Sequence, residues 1–152
     1  MTTVTEQSLE LDEAGLRAIG ARLAAVLQPG DVIALSGDLG TGKTTLARAI
    51  LEGLRHTGEV PSPTFTLVQY YDALDPPIAH ADLYRLDTPA EAEPLALDDW
   101  LVEGALLVEW PERLGRNLWP EALWLRLDGA GTPSRRLTWR APPAWESRWP
   151  PR

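Results

Sequence analysis

The chain contains no cysteine. That removes disulfides, thiolate metal sites and cysteine nucleophiles together, and a cytoplasmic setting is the simplest expectation. Histidine occurs only as His56 and His80, too few for a His-rich zinc site. No run approaches the roughly 18 apolar residues of a membrane span, so no membrane role is expected. The acidic, polar stretch Met1 to Glu10 does not read as a signal peptide. Lysine and asparagine occur once each, as Lys43 and Asn117, far apart. The Asn-Lys-x-Asp element with which GTPases read guanine is therefore excluded, so that if the chain carries a nucleotide site, adenine is the expected base and ATP the expected nucleotide. Positive charge is also scarce over most of the chain. Up to Glu112 there are 6 Lys and Arg against 19 acids, a balance of −13; from Arg113 onward 8 Arg face 3 acids, a balance of +5. An acidic body argues against independent, tight binding to nucleic acid. The arginine-rich end suits either solvent or an acidic partner, nucleotide or RNA.

What is present centres on Gly37-Asp38-Leu39-Gly40-Thr41-Gly42-Lys43-Thr44. It fits G-x-x-x-x-G-K-[ST], the P-loop pattern. Glycines let the backbone curl and bring its N–H groups to phosphate oxygens. Lys43 can reach the β- and γ-phosphates, and the Thr44 hydroxyl can ligate Mg²⁺. A helix that begins there points its positive end at the anion. The context agrees: the apolar run Val32 to Leu35 reads as a buried strand, and Leu46, Ile50 and Leu54 then recur at helical spacing.

With 152 residues the chain suits one domain. Leu16, Ile19, Leu23 and Leu27 share one helical face, with Asp12 as N-cap and Gln28-Pro29-Gly30 as the stop. Pro61 and Pro63 hold the start of the next segment extended, and the residues through Tyr71 read as a strand. Ile78 to Arg85 reads as another. Thr88-Pro89-Ala90-Glu91 has the form of a capping box opening a helix that Pro94 keeps short, with a second short helix near Leu97 to Leu101. Ala105 to Val108 is a buried-strand signal. Leu123 to Leu127 and Arg136 to Trp139 flank a turn-rich stretch, as in a hairpin. Alternating strands and helices predict an α/β P-loop domain over residues 1–140, its sheet mainly parallel, with a C-terminal antiparallel hairpin. Residues 141–152, rich in Pro, Trp and Arg, read as an irregular tail.

Ligands of such sheets sit at the C-terminal ends of the strands, which draws attention to two acids. Asp82 closes the run from Ile78 and Glu109 the run from Ala105. A P-loop site needs a carboxylate for Mg²⁺ and a group to orient the attacking water; Glu109 is the stronger metal candidate. Thr64 lies where P-loop proteins sense the γ-phosphate. Trp110 offers a face for a purine or for core packing. Arg135 and Arg136 suit phosphate, base or plain solvent.

Four motifs then occur in order: the P-loop through Thr45, Ser62-Pro63-Thr64-Phe65-Thr66-Leu67-Val68, His80-Ala81-Asp82-Leu83-Tyr84-Arg85-Leu86, and Val108-Glu109-Trp110-Pro111-Glu112-Arg113. Together they resemble the TsaE family, the small bacterial ATPases of tRNA threonylcarbamoyladenosine synthesis, from roughly Asp12 to Trp139. The resemblance implies action with the TsaD and TsaB proteins, and contact with tRNA only indirectly. It implies that Gly37, Asp38, Leu39, Gly40, Thr41, Gly42, Lys43, Thr44 and Thr45 bind ATP phosphates, and that Thr44 and Glu109 hold Mg²⁺. Asp82, also a metal candidate, and Thr64 would act near the γ-phosphate, Trp110 would lie against adenine, and Asp12, Glu13 and Arg136 would stand near the nucleotide. Ala81 replaces a usual Phe, and the tail has no clear counterpart. A small-molecule P-loop kinase and an ATP-dependent switch without productive hydrolysis are the alternatives; no arginine-bearing lid segment is evident for the first.

Overall fold

A computed structural model describes residues 5–38, 40–60, 67–114, 119–129, 131 and 133–149. Seven strands form one sheet: β1 (Thr5–Leu11), β2 (Val32–Ser36), β3 (Val68–Tyr71), β4 (Ile78–Asp82), β5 (Ala105–Glu109), β6 (Leu123–Asp128) and β7 (Arg135–Ala141). Their order is β1-β7-β6-β2-β5-β4-β3. The centre is parallel, β6 with β2, β2 with β5 and β5 with β4. β6 and β7 form the expected antiparallel hairpin, and β1 and β3 add antiparallel edges. β2, β4 and β5 are buried along their whole length, as strands covered on both faces must be.

One face carries α1 (Glu13–Val26) and α2 (Lys43–Gly53). Leu16, Ile19 and Leu23 of α1 and Leu46, Ile50 and Leu51 of α2 pack there on Ile33, Leu35, Ile78 and Leu107. Asp12 caps α1 as read from the sequence, its carboxylate accepting from Gly15 N at 2.7 Å. The opposite face is covered more thinly by a 3₁₀ stretch (Pro89–Leu95), the short α3 (Leu97–Trp100) and a 3₁₀ turn (Pro111–Leu114). No helix of the described residues is long and apolar enough to cross a membrane.

Three segments differ from the sequence reading. Residues 5–11 lead into α1 as strand β1, which pairs along its length with β7 at the far end of the chain. The Thr88 capping box does not form: Thr88 makes no side-chain cap bond, and the helix is 3₁₀ with Pro94 inside it, because proline cannot supply the N–H of an α-helical turn. The presumed irregular tail continues β7 to Ala141, makes a 3₁₀ turn at Pro143–Trp145 and buries Trp145 and Trp149 in the α1/α2-side core.

Candidate functional site

The site lies where β2 gives way to α2. Gly37 leaves the strand at φ +136°, and a Cβ there would stand 2.3 Å from the Leu127 carbonyl, so only glycine lets the loop cross the end of β6. Gly42 precedes the first turn of α2 at φ +104°. Thr41 is buried and bonds through Oγ1 to the Asp38 carbonyl at 2.8 Å, fixing the curl of the loop. Asp38 and Gly40 are exposed, and Leu39 lies outside the described residues.

Lys43 opens α2 and is nearly buried, 5% exposed. Its ammonium donates to the carbonyls of Gly37 at 2.6 Å and Asp38 at 2.8 Å, and lies 4.4 Å from the centre of the Trp110 ring. Burial pushes its pKa below the ordinary lysine value; the nearby carboxylates of Glu109, Asp82, Glu112 and Asp38 pull the other way without cancelling it. A buried cation so disfavoured gains from a polyanion beside it.

The strand register delivers the acids. Asp82 and Glu109 are direct partners at the ends of β4 and β5. Counting back by twos, His80 and Ile78 share the face of Asp82, and Leu107 and Ala105 that of Glu109; Ile78, Leu107 and Ala105 belong to the core beneath α1 and α2. The Thr44 hydroxyl, next to Lys43, stands 3.0 and 3.2 Å from the two oxygens of Glu109. Glu109 is 3% exposed and also meets His80 Nε2 at 2.6 Å. Asp82 is buried and accepts from Tyr84 N at 3.0 Å. Ser36, the last residue of β2, bonds through Oγ to Glu112 at 3.1 Å.

Thr44, Asp82 and Glu109 offer one hydroxyl and two carboxylates, all hard oxygen donors. Among the described residues no group of three or more acids and histidines converges to hold a metal unaided. That donor set fits Mg²⁺, which binds through one or two carboxylates, keeps several waters and takes phosphate oxygens from its substrate.

Most predicted residues therefore gather around α2's first turn; Thr45 sits in that turn, half-buried. Asp12 and Glu13 stand at the start of α1, whose Leu16 would lie 3.2 Å from a Cβ on Gly42. Glu13 itself faces Arg17 at 3.5 Å in an exposed pair. Arg136 is turned away: its exposed guanidinium pairs with Glu10 at 3.0 Å. Its neighbour Arg135 reaches the P-loop, Nε donating to the Thr41 carbonyl at 3.0 Å. Trp110 adopts φ +59°, uncommon for a bulky residue, and its ring sits at the lysine, 4.9 Å from that of Tyr84. Thr64 lies outside the described residues. His80, given no role by the sequence reading, emerges at the site, and Arg135, read as suiting phosphate, base or solvent, is the arginine that meets the P-loop. His80 could be found by noting that it precedes Asp82 by two along a strand.

A model of the family described as "Threonylcarbamoyl adenosine biosynthesis protein TsaE" matches residues 11–137. Proteins named tRNA threonylcarbamoyladenosine biosynthesis protein TsaE are similar to this chain. That of Streptomyces coelicolor is 44% identical over 118 residues, covering 76% of this chain and 80% of that protein. That of Bacillus subtilis is 40% identical over 126 residues, covering 82% and 78%. The crystal structure of Bacillus subtilis YdiB superposes with a TM-score of 0.74 at 33% identity, covering 93% of this chain and 87% of that one.

Proposed function

The chain belongs to the TsaE family of threonylcarbamoyladenosine biosynthesis proteins, and from that premise we propose that it binds and hydrolyses ATP to sustain threonylcarbamoylation of the adenosine next to the anticodon in tRNA. It acts with TsaD and TsaB, tRNA being engaged through them. The observation that carries the ATPase reading is the hydrogen-bonded pair of Thr44 and Glu109 beside Lys43, at the N-terminus of α2.

On this reading the backbone N–H groups of the P-loop and Lys43 hold the triphosphate, Lys43 exchanging its Gly37 and Asp38 carbonyls for β- and γ-oxygens. Thr44 and Glu109 hold Mg²⁺, which neutralises charge developing on the phosphates when bound. Asp82, beside Glu109 in register, orients the water that attacks the γ-phosphorus, with Thr64 as the γ-phosphate contact. Asp12, Glu13, Thr45 and the Arg135 side of the hairpin border the nucleotide, and Trp110 covers the lysine.

The test is ATP hydrolysis by the full chain, alone and with TsaD–TsaB, with Lys43→Ala as control. Low activity that rises with the partners and vanishes in the variant is expected. Unchanged hydrolysis in Lys43→Ala would overturn the P-loop assignment. Partner support that persists in a Glu109→Gln protein able to bind ATP would make binding, not hydrolysis, the output.

A further inference from the structure

We infer that His80 is a positioning residue that fixes the Glu109 carboxylate for its metal role; the inference rests on the nucleotide reading above. His80 is wholly buried on β4, on the α2 side of the sheet, and its Nε2 stands 2.6 Å from Glu109 Oε2. Its Nδ1 is buried and has no hydrogen-bond partner among the described residues. These two facts fix the tautomer. In the ionised form a metal ligand must take, the Glu109 carboxylate only accepts, so Nε2 carries the proton it shares. The reversed tautomer would set two lone pairs against each other at that distance and bury an unpaired N–H at Nδ1.

The consequence runs to the cation. Thr44 gives its only proton to Glu109, so the lone pairs of Oγ1 remain for a metal. Thr44 reaches both Glu109 oxygens, but at 3.0 Å to Oε1 and 3.2 Å to Oε2. His80 takes Oε2 at shorter range, which leaves Oε1 to Thr44 and the cation. Without that clamp the carboxylate could rotate about its terminal torsion, a broad well with little preference of its own. A ligand oriented by a hydrogen bond from behind is a recurrent device in metal sites, and its loss typically lowers metal affinity about 10–100-fold.

The test compares two variants that differ by one methylene. His80→Gln carries an amide N–H to about the place of Nε2; His80→Asn carries it only to about the place of Nδ1. The readout is the Mg²⁺ concentration at half-saturation of the ADP complex, followed by titration calorimetry and by the spectrum of Mn²⁺ as substitute, with ADP affinity in EDTA as control. His80→Asn should raise the Mg²⁺ midpoint about 10–100-fold and leave EDTA-state affinity unchanged, while His80→Gln stays close to wild type. Equal behaviour of the two variants would overturn the inference. Should neither variant fold, imidazole nitrogen shifts of the wild-type protein decide: protonated Nε2 hydrogen-bonded to Glu109 is expected, and a bare Nε2 overturns it. A wild-type chain that shows no Mg²⁺-dependent ADP binding would instead sink the nucleotide reading itself.

Discussion

Trp110 has a positive backbone angle, φ +59°, and its ring lies 4.4 Å from the Lys43 ammonium. On the proposed nucleotide reading, that is the phosphate end of the site rather than the base end. Removing the ring should therefore change the affinities for ATP and for inorganic tripolyphosphate by similar factors. A base platform predicts otherwise: a loss of about 1–3 kcal/mol confined to ATP, with tripolyphosphate unaffected. Titration calorimetry of Trp110→Ala with both ligands separates the two. The P-loop and Asp12 as cap were legible in the sequence because each rests on local spacing; Thr44 and Glu109 were each singled out by their own motif, but the hydrogen bond between them spans 65 residues and was not. Arg135 and Arg136 were not separable, since neighbouring residues of a strand face opposite sides and one step of register decides which reaches Thr41. The bond between His80 and Glu109 joins neighbouring strands 29 residues apart, a distance that periodicity cannot see.

At the scale of elements, the lysine is placed by how closely α1 and α2 approach. A Cβ on Gly20 would lie 2.4 Å from Ala49 Cβ, and one on Gly53 would lie 2.6 Å from Ala24 Cβ. Small residues thus face each other at the middle and at the C-terminal end of the helix pair. Gly20→Ala raises helix propensity by about 1 kcal/mol, yet it must push α2 away from α1. Overpacking of this kind costs typically about 1–3 kcal/mol, so the urea midpoint should fall despite the better helix former. ATP affinity should fall with it, because α2 begins at Lys43. An unchanged midpoint would mean that the helices hold their spacing by other contacts. The helices were readable from the apolar faces of Leu16, Ile19 and Leu23 and of Leu46 and Ile50, all buried as expected. β1 was not, because its ladder partner is β7 and its Leu9 is 44% exposed, so no buried stripe announces it.

For the whole molecule, the last described residues close the structure around its beginning. Trp145 is fully buried, and the Trp139 and Trp149 rings meet edge to face at 5.3 Å. Arg148 lies 4.1 Å over the Trp145 ring and holds Asp31 at 2.6 Å, with a further bond to the Val26 carbonyl at 3.0 Å. Asp31 in turn accepts from Gln28 N at 2.8 Å, so the chain end grips the turn that connects α1 to β2 and, through β2, leads to the P-loop. Composition pointed the other way, since prolines signal irregular chain; the alternative signal was the pair of tryptophans four residues apart, one helical turn. Trp145→Ala removes a side chain with no exposed surface and should cost about 3–5 kcal/mol. In a chain of this size that is a fall in melting temperature of about 6–20 °C. Below the transition, ATP binding should remain, because Trp145 is part of the apolar core, with Arg148 over its ring. A melting temperature within about 2 °C of wild type, less than 1 kcal/mol on the same scale, would mean that residues 143–149 drape over a core already complete at Ala141. A large fall with ATP binding preserved would make the chain's end part of what holds the sheet and its helices together, although it lies outside the P-loop motif.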